Sequence, residues 1–333
     1  MSNFPGRLAI IVPIHHDPHR PKVDRADRIE LLRRCLSSVI ESADLSEATG
    51  SGFSEVTIVV VDDHSPMDPQ HLLNPGQRVR IRWLKSLGAK GQAGALNFAI
   101  ATIDADAFAF TDSDCVVARD WLQRMATHYR AYPDHGGVGG PHWLFSTGET
   151  KWSRMLTRQE SALMKFLAED EIDRGMATST RIDCRNLSLR ADYARRLTEA
   201  DSLFRNGSFS VSGQAAYLVK RQIASGEASI GFAESMLAYH EPVSSLLGQV
   251  STYYSRGRWS AFDAIYASIY GDLFTAFRHR FGKRHFVSPV LSASVSVFYA
   301  WTVHLAYWAG IMRRRWLASR NGTLAARNYP QGW

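Results

Sequence analysis

Cysteine is scarce in this chain, and the metal-binding spacings of cysteine are missing. Among 333 residues only Cys35, Cys115 and Cys184 occur, with no CxxC or CxxxC pair. That excludes a disulfide framework and a zinc finger or ribbon, and it fits a reducing compartment. The opening MSNFPGRLAIIVPIHH has no basic segment followed by a long apolar stretch and a small-residue cleavage site, so no secretory signal is expected. The Asn-x-Ser/Thr triplets at Asn186, Asn206 and Asn321 are then expected to be chance. Internal repeats and low-complexity tracts are also lacking, as are a Gly-Lys-Ser/Thr phosphate loop and any zinc-finger, homeodomain or RNP-type motif. A net charge of +7, from 39 Lys+Arg against 32 Asp+Glu, therefore does not point to nucleic acid.

What is present is enough apolar surface for a full core: 45% of residues are hydrophobic and 21% charged, which excludes a disordered chain. Length allows one large or two modest domains. The first third alternates buried strands with helical patterns. Leu8–Ile14 (LAIIVPI) reads as a strand covered on both faces, followed by a helix carrying Ile29, Leu32, Leu36, Val39 and Ile40 and a polar loop over 46–54. Val56–Val61, Val79–Leu84 and Ala107–Phe110 are expected strands, with a helix over 94–102. That order predicts an α/β fold with a parallel, doubly wound sheet. Further on, Trp152–Asp170 and Tyr217–Ala224 read as helices, Arg181–Arg190 as a strand, and the chain from Val243 as helical.

Polar chemistry gathers where the strands end. Asp112-Ser113-Asp114 follows AFAF, and carboxylates spaced i, i+2 at a strand end can hold a divalent cation, magnesium or manganese, against a diphosphate. An Asp-rich turn has the same tripeptide. Asp62-Asp63 follows VTIVVV and can accept hydrogen bonds from a base and ribose hydroxyls, or simply make a turn. Gly91–Asn97 (GQAGALN) puts small residues at a helix start, where backbone N–H groups can approach phosphate, or where the chain merely enters a helix tightly. Gly136–Gly140 (GGVGG) reads as a bend rather than a dinucleotide fingerprint. Three histidines in His15-His16-Asp17-Pro18-His19 lack metal-site spacing and read as a loop bordering a pocket.

In this order, IIVPI, VVVDDHS, GQAGALNFAI, FTDSDCVV, RNLSLR, AYHEP and SRGRW resemble glycosyltransferase family 2, the GT-A enzymes that use nucleotide sugars. The resemblance implies a GT-A fold, a Rossmann-like and mostly parallel sheet flanked by helices, over 1–245. A nucleotide-sugar part would span 1–115 and an acceptor-side part 116–245, with a helical extension over 246–333. It implies a donor site of Pro13, Asp62, Asp63, Gly91, Asn97, Asp112 and Asp114, with the cation (Mn or Mg) on Asp112, Asp114 and His240. The donor would be a nucleoside-diphosphate sugar, a UDP-sugar first. The acceptor would be a glycan, a lipid-linked saccharide, a natural product or a peptide, and transfer would invert the anomeric centre. Ser255 stands where processive relatives have glutamine before Arg258-Trp259, so processivity is not implied.

One departure from the family pattern matters more. Members carry Glu-Asp before a helix of the form LxxRLxxxG, and that Asp is the base that deprotonates the acceptor. Leu218–Gly226 (LVKRQIASG) matches the helix, but Gln214-Ala215 occupies the acidic positions. A general base contributes about 10²–10⁴-fold. Catalysis must then draw on Asp201 or Glu199 from the preceding loop, with Gln214 at the usual position, or on an acceptor that ionises easily. Otherwise the chain is a non-catalytic nucleotide-sugar-binding protein. A nucleotidyltransferase is a further rival, but its basic Gly-rich signature is missing from Ala9–Arg20. Phe286–Met312 has no Asp, Glu, Lys or Arg, yet it is only moderately apolar and dense in aromatics. It reads as packed on the catalytic domain or touching a membrane through 278–316, so a cytoplasmic or peripheral protein is expected.

Overall fold

Runs of β-branched and aromatic residues buried on both faces build the centre of the molecule. The computed structural model describes residues 4–16, 28–50, 52–87, 91–144, 184–200, 230–240, 247–248, 250–251, 253–254, 257 and 291–321. The elements in chain order are β1 (Arg7–Ile14), α1 (Arg28–Thr49), β2 (Glu55–Asp62), α2 (Pro75–Arg80), β3 (Ile81–Lys85), α3 (Gln92–Thr102) and β4 (Ala107–Phe110). There follow β5 (Cys115–Val117), α4 (Trp121–Ala131), β6 (Gly137–Gly139), β7 (His142–Leu144), β8 (Leu187–Arg190), α5 (Ala191–Ala200), β9 (Ile230–Phe232), β10 (Ala238–His240) and α6 (Leu291–Asn321).

Contacts divide the chain into two compact units, Met1–Thr147 with Ala168–Pro242 and Gly148–Leu167 with Val243–Trp333. The first carries a seven-stranded sheet of order β3-β2-β1-β4-β8-β6-β9. β3, β2, β1 and β4 are mutually parallel, β8 runs antiparallel to both β4 and β6, and β9 is parallel to β6. β8 alone is reversed, so the sheet is mostly parallel. Alternation along β1 sends Leu8, Ile10, Val12 and Ile14 to one face, against Leu32, Leu36 and Val39 of α1 and Trp121, Met125 and Tyr129 of α4. Ala9 and Ile11 face the other way, against Ala95, Leu96, Ala99 and Ile100 of α3 and Tyr193 and Ala194 of α5. Helices on both faces are what a parallel sheet requires. A second, three-stranded sheet of order β5-β10-β7 has β10 antiparallel to β5 and parallel to β7.

Four local expectations are corrected. The strand expected from Val79 begins at Ile81, because Pro75 at the first turn after the N-cap Asn74 starts the short helix α2, which leaves Val79 exposed. The loop expected over 46–54 begins later: α1 continues to Thr49, with Ser46 buried, and stops at Gly50, whose φ of 57° suits a helix terminus. Gly137–Gly139 is strand β6 rather than a bend, its backbone packed so tightly on β8 that a Cβ at Gly137 would meet the Ser188 carbonyl. Of Arg181–Arg190 only Leu187–Arg190 is strand, since 184–186 turn and 181–183 lie outside the described residues. The helices expected over 152–170 and 217–224 also lie outside them.

In the second unit α6 buries Ala306, Tyr307 and Ile311. Tyr253 is fully buried, Arg313 donates from Nη1 to the Tyr254 hydroxyl at 2.9 Å, and a Cβ at Gly257 would meet the Tyr307 carbonyl. No helix among the described residues is long and apolar enough to cross a membrane.

Candidate functional site

Parallel strands end on one edge, so the loops after β1, β2, β3 and β4 meet there. Their backbones are knitted together. Asp63 N–H donates to the Ile14 carbonyl at 2.7 Å, Ser86 N–H to the Asp62 carbonyl at 2.9 Å, and Thr111 N–H to the Ile11 carbonyl at 3.3 Å. His15 and His16 belong to this edge, with Nδ1 of His15 2.7 Å from the Asp63 carbonyl and His16 N–H donating to the Ser65 hydroxyl at 2.8 Å. Pro13, the next-to-last residue of β1, is buried and paired with Val61.

Both carboxylates of Asp62-Asp63 are buried and work within the chain. Asp62 accepts from Ser65 N–H at 3.0 Å, which closes the turn after β2. Asp63 accepts from Gly91 N–H through both oxygens, at 2.9 and 3.0 Å, and from Nδ1 of His64 at 3.1 Å. Gly91 has φ 103°, a conformation that favours glycine, and is the N-cap of α3. The next residue, Gln92, donates from Nε2 to Oδ1 of Asp112. The start of α3 is thus fastened to both acidic motifs at once. Asn97, further along α3, has a buried Oδ1 with no hydrogen-bond partner.

The second sheet completes the acidic site. In the β10–β5 register His240 lies opposite Cys115, the residue after Asp114, so a distant segment delivers an imidazole to the Asp112–Asp114 turn. Nε2 of His240 is 3.4 Å from Oδ1 of Asp114, and ligand atoms of Asp112, Asp114 and His240 all lie within 4.8 Å of one another. Two carboxylates and an imidazole, each partly exposed, form a donor set that fits Mn²⁺ or Mg²⁺. Arg185 stands behind, its Nη1 3.4 Å from Nδ1 of His240. When Nδ1 accepts from Arg185, Nε2 carries the proton and faces Asp114; ligation through Nε2 requires the other tautomer and releases Arg185.

The three cysteines all lie buried around this turn. Cys35 of α1 donates from Sγ to the Asp112 carbonyl at 3.3 Å, and Sγ of Cys184 is 4.0 Å from Nε2 of Gln92. Burial, reinforced by the Asp114 and Asp112 carboxylates, pushes the thiols of Cys35 and Cys115 up and keeps them protonated. Asn186 is fully buried, accepting from the Trp121 indole at 2.8 Å and donating to the carbonyls of Pro141 and Met236 at 2.8 and 2.6 Å. That triplet is not open to glycosylation in the folded chain.

Asp112, Asp114 and His240 therefore meet at one point, and the Gln92 contact ties Asp112 to the Gly91 turn held by Asp63. Asp201 and Gln214 lie outside the described residues, as do Arg258-Trp259. Gln92 and Arg185 were missed from sequence although both sit inside the quoted segments GQAGALN and RNLSLR. A polar residue at a helix start and an arginine before a strand were the available signals, and neither is specific.

A family model described as "Glycosyl transferase family 2" matches residues 24–193. No curated protein matches the chain. Among solved structures it is similar to "Mannosyltransferase PcManGT from Pyrobaculum calidifontis in complex with GDP-Man and Mn2+". The TM-score is 0.52 and the identity 14%, over 94% of this chain and 88% of the other, a likeness of fold.

Proposed function

The chain belongs to glycosyl transferase family 2, and from that premise we propose that it moves a sugar from a nucleoside-diphosphate sugar to an acceptor, with a divalent cation and with inversion. The observation that carries this reading is the convergence of Asp112, Asp114 and His240 within 4.8 Å at the carboxyl edge of the sheet. The structural neighbour, solved with GDP-Man and Mn²⁺, supports a nucleotide sugar and a cation of this kind.

Asp112, Asp114 and His240 would hold Mn²⁺ or Mg²⁺, which when bound offsets charge growing on the departing diphosphate. Gln92 holds the Asp112 carboxylate in place by its hydrogen bond. Arg185, beside His240, would add a second positive charge where the leaving group departs. Pro13, Asp62, Asp63, Gly91 and Asn97 form the nucleotide side of the same site, and the buried Oδ1 of Asn97 offers an acceptor to a base or ribose hydroxyl. Asp201 is the candidate for taking the acceptor proton, because the amide of Gln214 cannot. A UDP-sugar is the first donor expected, with GDP-mannose next. The acceptor class spans glycans, lipid-linked saccharides, natural products and peptides.

Gln214-Ala215 favours a second reading, a protein that binds nucleotide sugar without turning it over. Both readings are tested by release of nucleoside diphosphate from UDP-, GDP- and dTDP-sugars with Mn²⁺ or Mg²⁺, with nucleotide binding followed in parallel. A transferase shows metal-dependent release that falls by about 10²-fold or more in Asp114→Asn, since several kcal/mol of charge stabilisation is lost. Tight metal-dependent binding without release, whichever acceptor is supplied, establishes the binding protein. Unchanged binding in Asp114→Asn overturns the donor site itself.

A further inference from the structure

The long helix α6 shows two faces of different character. Ala306, Tyr307, Gly310 and Ile311 are buried. On the opposite side Leu305, Trp308, Met312 and Trp316 are 61%, 47%, 64% and 52% exposed, four large apolar side chains at spacings of three, four and four. At ~100° per residue these four fall within about 80° of arc, with Arg315 about 60° to one side of its centre and Arg313 about 100° to the other. Both arginines are exposed. The 31 residues of α6 contain no Asp or Glu, while Arg313, Arg314, Arg315 and Arg320 stand in its last third.

Large exposed apolar residues in a continuous row mark a surface that meets something. The flanking charge decides what. A second copy of the same face would bring arginines against arginines across a two-fold axis, and a basic helix with no acid of its own repels its like. An anionic lipid surface satisfies both features, because tryptophan and leucine enter the headgroup boundary while arginines at the rim meet phosphate oxygens. The helix need not span, and none of the described helices can.

We propose that the Leu305–Trp308–Met312–Trp316 face of α6, rimmed by Arg313 and Arg315, docks the protein in the plane of an anionic membrane surface. The test is co-sedimentation of the full chain with phosphatidylcholine vesicles and with phosphatidylcholine–phosphatidylglycerol vesicles, at low and high salt. Binding is expected on the anionic vesicles and is expected to weaken with salt. Arg313→Gln with Arg315→Gln should lower the partition coefficient by about fivefold per charge, and Trp308→Ser with Trp316→Ser by at least about tenfold. All four positions are exposed, and the hydrogen bond that Arg313 gives up, to the Tyr254 hydroxyl, is an exposed one, so thermal melting of the variants, followed in parallel, should stay within a few degrees of the wild type. Absence of wild-type binding, equal binding to neutral vesicles, or unaltered binding by both double variants would overturn the proposal. So would self-association, seen by sedimentation velocity and lost in the tryptophan variant, which would assign the face to a second copy.

Discussion

A buried imidazole facing another imidazole makes part of the fold depend on pH. Nε2 of His128 is 3.1 Å from Nδ1 of His135, and Tyr132 stacks on His135 with ring centroids 4.9 Å apart. Burial, with His135 adding to it, lowers His128 from its ordinary 6.5 to about 4. Burial also lowers His135, against the pull of Asp134. Between pH 4 and 6.5 the native chain thus binds fewer protons at His128 than the unfolded chain does. Stability from this site is complete above pH 6.5 and is lost as pH falls towards 4. Urea unfolding at pH 5 and pH 7.5 (about one and a half units below and one unit above the ordinary histidine value) should show the wild type losing more stability at low pH than His128→Gln. That variant keeps a donor near Nε2 and has no proton to gain; equal losses would show that the pair does not control the pH response.

At the scale of elements, one face of α1 holds the Asp112–Asp114 turn and the segment after it by side chains that bond to backbone. Cys35, Ser38 and Ser42 lie at helical spacing. Cys35 donates to the Asp112 carbonyl, Ser38 accepts from Val117 N–H at 3.0 Å, and Ser42 accepts from Leu122 N–H at 3.1 Å. Leu122 is in the first turn of α4, whose own N-cap Asp120 makes no capping bond, so a hydroxyl from another helix supplies the missing acceptor. Ser38→Ala and Ser42→Ala each leave a buried N–H unsatisfied and should cost about 1–3 kcal/mol in denaturant unfolding. Ser38→Ala, closer to Asp114, should also weaken Mn²⁺ binding by titration, while Ser42→Ala should leave it near wild type; equal effects would mean that α1 supports the fold alone. These contacts explain what was legible in the sequence and what was not. Asp62-Asp63 and Asp112-Asp114 could be read because each follows a continuous apolar run such as VTIVVV, and strand ends are where parallel sheets put ligands. The partnership of Gln92 with Asp112 could not, nor that of Arg185 with His240. Both depend on pairing between distant segments, and β5, β7 and β10 are three residues long, too short to show a period of two. Only the resemblance of AYHEP to its family pointed to His240, and β10–β5 pairing supplies the physical reason it arrives.

For the whole molecule, the acidic site lies in the first unit and the exposed face of α6 in the second, so the two can be perturbed separately. Ligands that bind only the native state raise stability by mass action, by about 2.7 kcal/mol at a hundredfold excess over Kd. For a chain of this size that is a rise of several degrees in Tm. Mn²⁺ with UDP or GDP should produce the full rise together and only part of it singly, because in the proposed site the carboxylates and the diphosphate would share the cation. Asp114→Asn should abolish the shared rise, whereas Trp308→Ser with Trp316→Ser should keep it. A nucleotide-only rise that survives in Asp114→Asn would detach nucleotide binding from the Asp112–Asp114–His240 cluster. A metal-linked rise without release of diphosphate would instead leave the donor site where it is and put the fault in proton removal, where the resemblance to the family would set Gln214-Ala215 at the positions of its acidic pair. Melting and turnover measured on the same variants therefore separate a misplaced donor site from a missing base.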